Sequence, residues 1–382
     1  MLRKTERGGV VLALIAEWPM FAALASLALV FAIGQKRFYT IVDPVVLTVL
    51  FVWLFGVILA GVISVARHAE ALAELYREPL GTLILILSLV GIEVIMISSI
   101  LFHDEPTPNI ARDTLYSSLM IIVNGFLGAA VLVGGWRHGI QRYNLQSSRV
   151  YLSMLLALWG VAFFVPSYLS TEATGPYKVF LIALCVTLFA LFLWVQFVQH
   201  RYFFAHTAGH SDGPNEPSHD LAPASADKRQ QARSGRLHLA AVIVTFTAVA
   251  ALSKYLAEVM DEGIQLLRLP AMLPPFAVAV LVLSPKAIEA FHAARANDVQ
   301  RAVNIGLGSA VSTIALTVPV MLAIGFAVGQ PITLALTPVQ QVVIALTLVM
   351  AINNYKDGEV NTMAGMVHFA LFMAYVATIL AG

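Results

Sequence analysis

One acidic residue stands in the middle of a long apolar run, where its carboxyl group would bind a cation or a proton. Glu93 lies near the centre of the apolar stretch 79–102. An ionisable group at mid-membrane costs about 2.5–3.5 kcal/mol on insertion scales, so its presence indicates a function. A carboxylate there holds a cation or a proton but hardly both, and this competition is the simplest chemistry for exchange. Glu93 is therefore the predicted metal ligand. The alternative is a protonated glutamate hydrogen-bonded to a neighbouring helix.

A second apolar stretch, 270–291, carries a proline followed directly by a lysine. Pro285 has no N–H, so the carbonyl of Leu281 loses its helical partner and becomes a candidate cation ligand. Lys286 is then a candidate counter-charge in the same site, or a lysine that snorkels to the membrane surface. Glu289, one turn further on, is expected to pair with Lys286 or to supply a second carboxylate.

Neutral oxygens inside other apolar stretches complete the candidate site. Asn124, Ser309 and Thr313 could each contribute an oxygen to a cation-binding or proton-binding site. The alternative for each is a hydrogen bond between helices, beside glycines that allow close packing.

Further polar residues receive structural interpretations. Glu17, ahead of Pro19, is interpreted as part of a local kink. His68 is interpreted as part of a solvated cytoplasmic face, with a regulatory role as the alternative. Lys254 and Glu258 are four residues apart, a spacing that predicts an ion pair within one helix. His368 is interpreted as a packing histidine, with proton relay as the alternative.

The elements that must position these residues are membrane helices. The chain of 382 residues is 59% hydrophobic and 12% charged, whereas a soluble domain has about 25% charged residues. A membrane helix needs about 20 apolar residues. Eleven stretches qualify: 10–33, 44–66, 79–102, 113–136, 149–169, 177–199, 237–259, 270–291, 302–328, 338–353 and 361–381. The tenth is the shortest.

The distribution of basic residues predicts the orientation of these spans. With a cytoplasmic N-terminus, sixteen of the 23 Lys and Arg residues face the cytoplasm and five face outward. This asymmetry satisfies the positive-inside rule and places the C-terminus outside. A net charge of +1 gives no reason to expect nucleic acid as a partner, and the single cysteine, Cys185, excludes disulfides within the monomer. The sequence makes no prediction of an oligomeric state.

A polar segment divides the spans into two groups with similar layouts. Residues 200–236 are rich in Pro, Ser, Asp and His, which predicts a flexible cytoplasmic linker. The chain is then an extra N-terminal helix (1–36), a five-helix repeat (37–199), the linker, and a second five-helix repeat (237–382). An odd number of spans gives the two repeats opposite orientations, the inverted-repeat plan of many secondary transporters. The predicted fold is thus an all-α polytopic membrane protein.

Several polar motifs occur in order along the chain: Val65-Ala66-Arg67-His68-Ala69, Glu78-Pro79-Leu80-Gly81, Glu93-Val94-Ile95-Met96, Arg112-Asp113-Thr114, Val282-Leu283-Ser284-Pro285, Gly308-Ser309-Ala310 and Gly365-Met366-Val367-His368. Together they resemble bacterial calcium/cation:proton antiporters of the ChaA type, in the calcium/cation exchanger superfamily. The resemblance covers most of the chain from the second span onward, without the linker. It implies ten core helices, a central cation site, and transport driven by the proton gradient.

The resemblance places the two glutamates of the family site at Glu93 and at Lys286, where this chain departs from the pattern. Calcium prefers six to eight oxygen ligands, usually with several carboxylates, so an ammonium group disfavours it. Three outcomes are open: Glu289 replaces the missing ligand, the site takes sodium or potassium, or transport is lost.

The predicted function is secondary antiport of a small inorganic cation (calcium, sodium or potassium) for protons across an inner membrane, without a cofactor. The competing hypothesis is a non-transporting membrane scaffold or sensor that retains the exchanger fold. An enzyme is not expected, because neither a zinc-type His/Glu spacing nor a serine elbow is present in a usable place.

Overall fold

The computed structural model describes residues 17–33, 43–76, 80–101, 109–195 and 225–381, and these residues form eleven helical segments. The segments are α1 (Trp18–Ile33), α2 (Pro44–Tyr76), α3 (Leu80–Leu101), α4 (Ile110–His138), α5 (Leu145–Tyr168), α6 (Thr171–Trp194), α7 (Ser225–Leu267), α8 (Leu273–Arg295), α9 (Val299–Val328), α10 (Pro338–Tyr355) and α11 (Thr362–Leu380). Single π-helical stretches interrupt α4 (Met120–Phe126), α5 (Gly160–Phe164) and α9 (Thr313–Thr317).

Eight of the described helices are long and apolar enough to cross a membrane, which confirms the prediction of a polytopic helical membrane protein. The apolar parts of α1 and α3 are shorter. Helix α10 is not among the eight, in agreement with its weak sequence signal. Each predicted span corresponds, over its described residues, to one helical segment.

Two helices extend well beyond their predicted spans. Helix α2 continues to Tyr76 instead of ending at 66, and α7 runs from Ser225 to Leu267 instead of over 237–259. Residues 225–236, predicted as part of the flexible linker, are therefore helical. The extensions are rich in Ala, Glu, Leu, Arg and Gln, which favour helix once the chain has left the hydrocarbon. The predictions for 1–16 and for most of the linker lie outside the described residues.

A small antiparallel sheet joins two of the connections and departs from the all-α prediction. Strand β1 (Gln141–Arg142) follows α4, and β2 (Glu359–Val360) follows α10, with Gln141 opposite Val360. Two-residue strands are too short to show an alternating pattern in the sequence.

The chain divides into two compact units, and the first contains Met1–Thr114, His238–Pro285 and Ile379–Gly382. Within it α2 packs on α7 at Gly61, where an added Cβ would lie 2.6 Å from the side chain of Val249. Helix α3 packs on α7 through a 2.7 Å hydrogen bond between the hydroxyls of Ser99 and Ser253. Such polar contacts and small residues are typical of helix packing in membranes.

The second unit contains Leu115–Leu237 and Lys286–Thr378. Helices α4 and α11 approach so closely that a Cβ on Gly365 would lie 2.2 Å from the backbone nitrogen of Leu132. Helices α4 and α9 meet at Gly306, where an added Cβ would lie 2.8 Å from Leu127. Small residues at these positions allow α4 to pack closely against both α9 and α11.

Candidate functional site

Glu93 lies in the interior of the first unit. Its side chain is on α3 and the residue is only 1% exposed, so the carboxyl group does not face lipid. Gly91 contacts Phe246 of α7, and Ser99 contacts Ser253 of the same helix. The contacted positions increase along both helices, so α3 and α7 run parallel. Along α3, Glu93 lies between the two contact positions, Gly91 and Ser99. Its burial fits both interpretations, a proton- or cation-binding residue and a protonated glutamate bonded to a neighbouring helix, so the role of Glu93 stays a prediction.

Glu258 is a second buried acidic residue of the first unit, and the sequence interpretation missed its burial. It lies on α7 and is 4% exposed, whereas Lys254, one turn earlier, is exposed. The ion pair between them stays a prediction, and Glu258 itself is buried. The spacing of two charged residues along a helix does not show which of them faces the interior, because the packing of neighbouring helices decides it.

Asn124 is the centre of a buried hydrogen-bond network in the second unit. It lies on the π-helical stretch of α4, and its Nδ2 donates to Thr347 Oγ1 of α10 at 2.7 Å. Thr347 Oγ1 donates onward to the carbonyl of Val343 at 2.9 Å. The remaining partner, His368 Nδ1 of α11, is 2.8 Å from Asn124 Oδ1 and must donate to it. Asn124 therefore makes interhelical hydrogen bonds, the alternative to a cation-ligating role.

His368 is held in place from two directions. The residue is fully buried, and its ring stacks on Tyr355 of α10 with a centroid distance of 5.3 Å. Its Nδ1–H is committed to Asn124, which selects the tautomer whose Nε2 carries the lone pair. The packing interpretation of His368 agrees with these contacts. Thr347, which sequence reasoning did not single out, could have been noticed as a hydroxyl within an apolar run.

Ser309 and Thr313 lie on α9, which packs directly against α4, the helix of Asn124. Ser309 is 7% exposed and Thr313 is fully buried at the start of the π-helical stretch of α9. The hydroxyl of Ser312 donates to the carbonyl of Ser309 at 3.1 Å. The second unit thus collects three predicted neutral ligands, Asn124, Ser309 and Thr313, on two packed helices, each with a π-helical stretch. Such stretches occur often at functional sites.

Helix α8 carries Leu281, Pro285, Lys286 and Glu289, and it continues without interruption through the proline. Leu281 is buried and Lys286 is half-buried. The hydroxyl of Ser284 donates to the carbonyl of Val280, a polar contact next to the carbonyl that Pro285 deprives of its partner. The boundary between the two units falls between Pro285 and Lys286.

Glu289 forms an ion pair with Arg301, from the first turn of α9, through two hydrogen bonds of the guanidinium group. Its side chain is 32% exposed. The expected alternatives, pairing with Lys286 or service as a second buried carboxylate, did not include this neighbour. The connection between α8 and α9 is short, and it places the two helix ends side by side.

The predicted site residues fall into two groups. Glu93 and Leu281 belong to the first unit, and Asn124, Ser309, Thr313, Lys286 and Glu289 belong to the second. Within the described part of the chain, no group of three or more His, Cys, Asp or Glu side chains is arranged to hold a metal ion. Each group by itself contains one carboxylate among the predicted site residues, accompanied by neutral oxygens.

Comparison with known proteins gives matches over most of the chain. A family model described as sodium/calcium exchanger protein matches residues 46–198 and 237–381, leaving out the segment between them. The sodium-potassium/proton antiporter ChaA of Escherichia coli (strain K12) is 34% identical over 339 residues, which are 88% of this chain and 90% of that protein. A Ca(2+)/H(+) antiporter of Aphanothece halophytica is 22% identical over 69% of this chain and 72% of its own length.

Solved structures show the same fold at low sequence identity. Native YfkE has a TM-score of 0.73 and 17% identity, and the alignment covers 95% of this chain and 100% of that one. The H+/Ca2+ exchanger CAX has a TM-score of 0.64 and 14% identity, with 95% and 88% covered. These similarities extend over both units.

Proposed function

We propose, because the chain belongs to the sodium/calcium exchanger protein family, that it is a secondary antiporter that exchanges a small inorganic cation for protons. The family consists of transporters, not enzymes. The relatives named as cation/proton and calcium/proton antiporters support this assignment. The observation that carries it is Glu93, a carboxyl group that is 1% exposed in the middle of an apolar helix.

Glu93 is the proposed point of competition between cation and proton. A buried carboxylate releases its proton readily only when another positive charge replaces it, since an unpaired charge is costly at that depth. Binding of the cation then requires loss of the proton, and the reverse step restores it. This alternation couples the two fluxes without any chemical step.

The cation that the chain's residues favour is monovalent. Lys286 stands where the resemblance places the second carboxylate, and Glu289 is engaged with Arg301. With fewer carboxylates, the site offers a weaker field than calcium requires. Sodium or potassium is therefore the proposed substrate, in line with the name of the Escherichia coli relative.

The proposed layout is eleven crossings, with α1 as an extra helix and α2–α6 and α7–α11 as inverted repeats. Helix lengths support it: α3 has 22 residues and its counterpart α8 has 23, while α4 and α9 have 29 and 30. Both α4 and α9 carry a π-helical stretch. Each compact unit also contains helices from both halves of the chain that have equivalent positions in the two proposed repeats. We place the protein in an inner membrane, with a cytoplasmic N-terminus.

Flux through purified protein in liposomes tests the function. With a pH gradient imposed, we expect added Na+ or K+ to dissipate the gradient, with a smaller response to Ca2+. Glu93→Gln should abolish the response to every cation, because the amide neither binds nor releases a proton. Glu359→Gln is the matched control: it removes an exposed carboxylate, and full activity is expected.

A correctly inserted wild-type protein that leaves the gradient intact with all three cations would contradict the assignment. The non-transporting scaffold would then be the better description. A Glu93→Gln variant with wild-type flux would leave antiport in place but remove Glu93 from it.

A further inference from the structure

Three helices of the first unit are joined by a chain of titratable side chains that the transport scheme does not use. His68 Nε2 of α2 lies 2.8 Å from Glu17 Oε2, just ahead of α1. His68 Nδ1 lies 2.8 Å from His238 Nδ1 of α7. His68 is 5% exposed, so the prediction that it belongs to a solvated face is wrong. Glu17, interpreted from the sequence as part of a kink, instead connects its helix to α2.

The hydrogen-bond roles in this chain follow from its geometry. The carboxylate of Glu17 only accepts, so His68 must donate from Nε2. A neutral His68 then presents a bare Nδ1, and His238 must donate from its own Nδ1. Every contact is satisfied when both imidazoles are neutral. One added proton is also accommodated, on Nε2 of His238, and leaves the contacts unchanged.

A second added proton breaks the chain. It would have to occupy Nδ1 of His68, and two N–H groups would then point at each other across 2.8 Å. Two positive rings at that distance repel each other and lose their hydrogen bond. The arrangement is linear, with His68 in the middle, so the three side chains do not converge on a common point as metal ligands would.

Arg67 of α2 donates to both carboxylate oxygens of Glu17, each at 3.2 Å, and its positive charge opposes further protonation. Helix α1 contains no charged residue, and Glu93 is the sole charged residue of α3. Of the charged side chains described at the adjoining ends of these helices, Glu70 and Glu74 of α2 and Arg236 of α7 are exposed.

We propose that Glu17, His68 and His238 form a proton-binding site, separate from Glu93, whose double protonation releases α7 from α2. At neutral pH the hydrogen-bonded side chains of Glu17, His68 and His238 hold α2 and α7 together. Acidification charges both imidazoles and separates α2 from α7 at the level of His68 and His238. Because α7 also contacts α2 at Gly61 and α3 at Ser99, this release loosens the helices that surround Glu93. The site thus lets protons on one side of the membrane adjust the exchanger.

Spin labels on the two helices test this directly in purified protein, without any ion flux, so the result does not depend on the proposed function. Cysteines replace Glu74 of α2 and Leu239 of α7, both exposed, in a Cys185→Ala background. Between pH 7.5 and 5.5 we expect the inter-label distance to increase. The midpoint of this increase is the quantity to compare between variants.

His238→Gln supplies the decisive comparison. The amide still reaches His68 with a donor but gains no charge, so the pH-dependent distance change should disappear. His292→Gln removes an exposed histidine from the end of α8 and should retain the full change. Glu17→Gln should move the midpoint to lower pH, because the carboxylate favours the charged rings.

Two results would overturn the proposal. One is a wild-type distance that stays constant across the pH range in a folded sample. The other is a distance change of wild-type size in His238→Gln.

Discussion

At the scale of single residues, the buried polar side chains have two roles. Some form hydrogen bonds between helices, and others are ionisable groups. Asn124 donates a hydrogen bond to Thr347 and accepts one from His368, each on another helix, and all three residues are fully buried. Such networks are costly when incomplete, so a fully partnered amide is a structural element of the second unit. Glu93 differs, because in the proposed transport scheme its carboxyl group changes charge when a proton leaves.

Lys286→Glu is the substitution that tests ion selectivity at this scale. A carboxylate there adds an oxygen ligand and changes the local charge by two units, so calcium flux should rise on the order of tenfold. The measurement is calcium-driven proton movement in liposomes. Lys286→Gln is the control, since it removes the positive charge without adding a carboxylate, and a much smaller gain is expected from it.

If Lys286→Glu leaves calcium flux unchanged while sodium or potassium flux persists, position 286 does not face the transport site. The monovalent preference would then need another origin, and Glu289 and Asn124 would be the next positions to vary.

At the scale of helices, close backbone approach is the main packing device. An added Cβ on Gly365 of α11 would lie 2.2 Å from Leu132 N and 2.5 Å from its Cα, atoms of a backbone that cannot move aside. A Cβ on Gly56 of α2 would meet nothing within 4 Å. Both residues are helical glycines, but only Gly365 serves an interface.

This difference predicts opposite effects of one substitution. Gly365→Ala should destabilise the protein by about 1–3 kcal/mol or more, because the α4–α11 contact is overpacked. Gly56→Ala should be neutral or stabilising by up to about 1 kcal/mol, since alanine is the better helix former. Thermal unfolding of the detergent-purified variants measures both, and equal midpoints would contradict the packing described for α11.

At the scale of the whole molecule, the number of crossings depends on α10, which is absent from the eight long apolar helices of the described chain. Pro331, in the connection before α10, and Lys356, at its end, are both exposed. If α10 crosses, these two positions lie on opposite sides of the membrane.

Labelling in intact cells tests this arrangement. With Cys185→Ala as background, an impermeant thiol reagent should modify a cysteine at position 331 and not one at 356. The reverse pattern would invert the proposed orientation. Modification of both, with the cell membrane intact, would show that α10 does not cross and would remove the inverted repeats.

Membrane helices are recognisable in a sequence because lipid demands long apolar runs with their hydrogen bonds satisfied internally. Each of the eleven apolar stretches coincides with a helix apart from a few residues at its ends, and Glu93 lies near the middle of one of them. The helix ends could not be predicted in this way. Beyond the hydrocarbon, residues such as 225–236 obey ordinary helix propensity, which competes closely with a disordered linker.

The sequence offers little guidance on which polar side chains contact one another, because the packing of the helices decides it. Nothing local in the sequence joins Glu17 to His68 and His238, or Asn124 to Thr347 and His368, because these contacts span 51 to 244 positions. Hydropathy records whether a residue tolerates lipid, but a hydrogen bond depends on which helix face meets which neighbour. Composition and periodicity therefore establish the membrane-embedded helices and their buried charge, whereas interhelical packing assigns each polar group its partner.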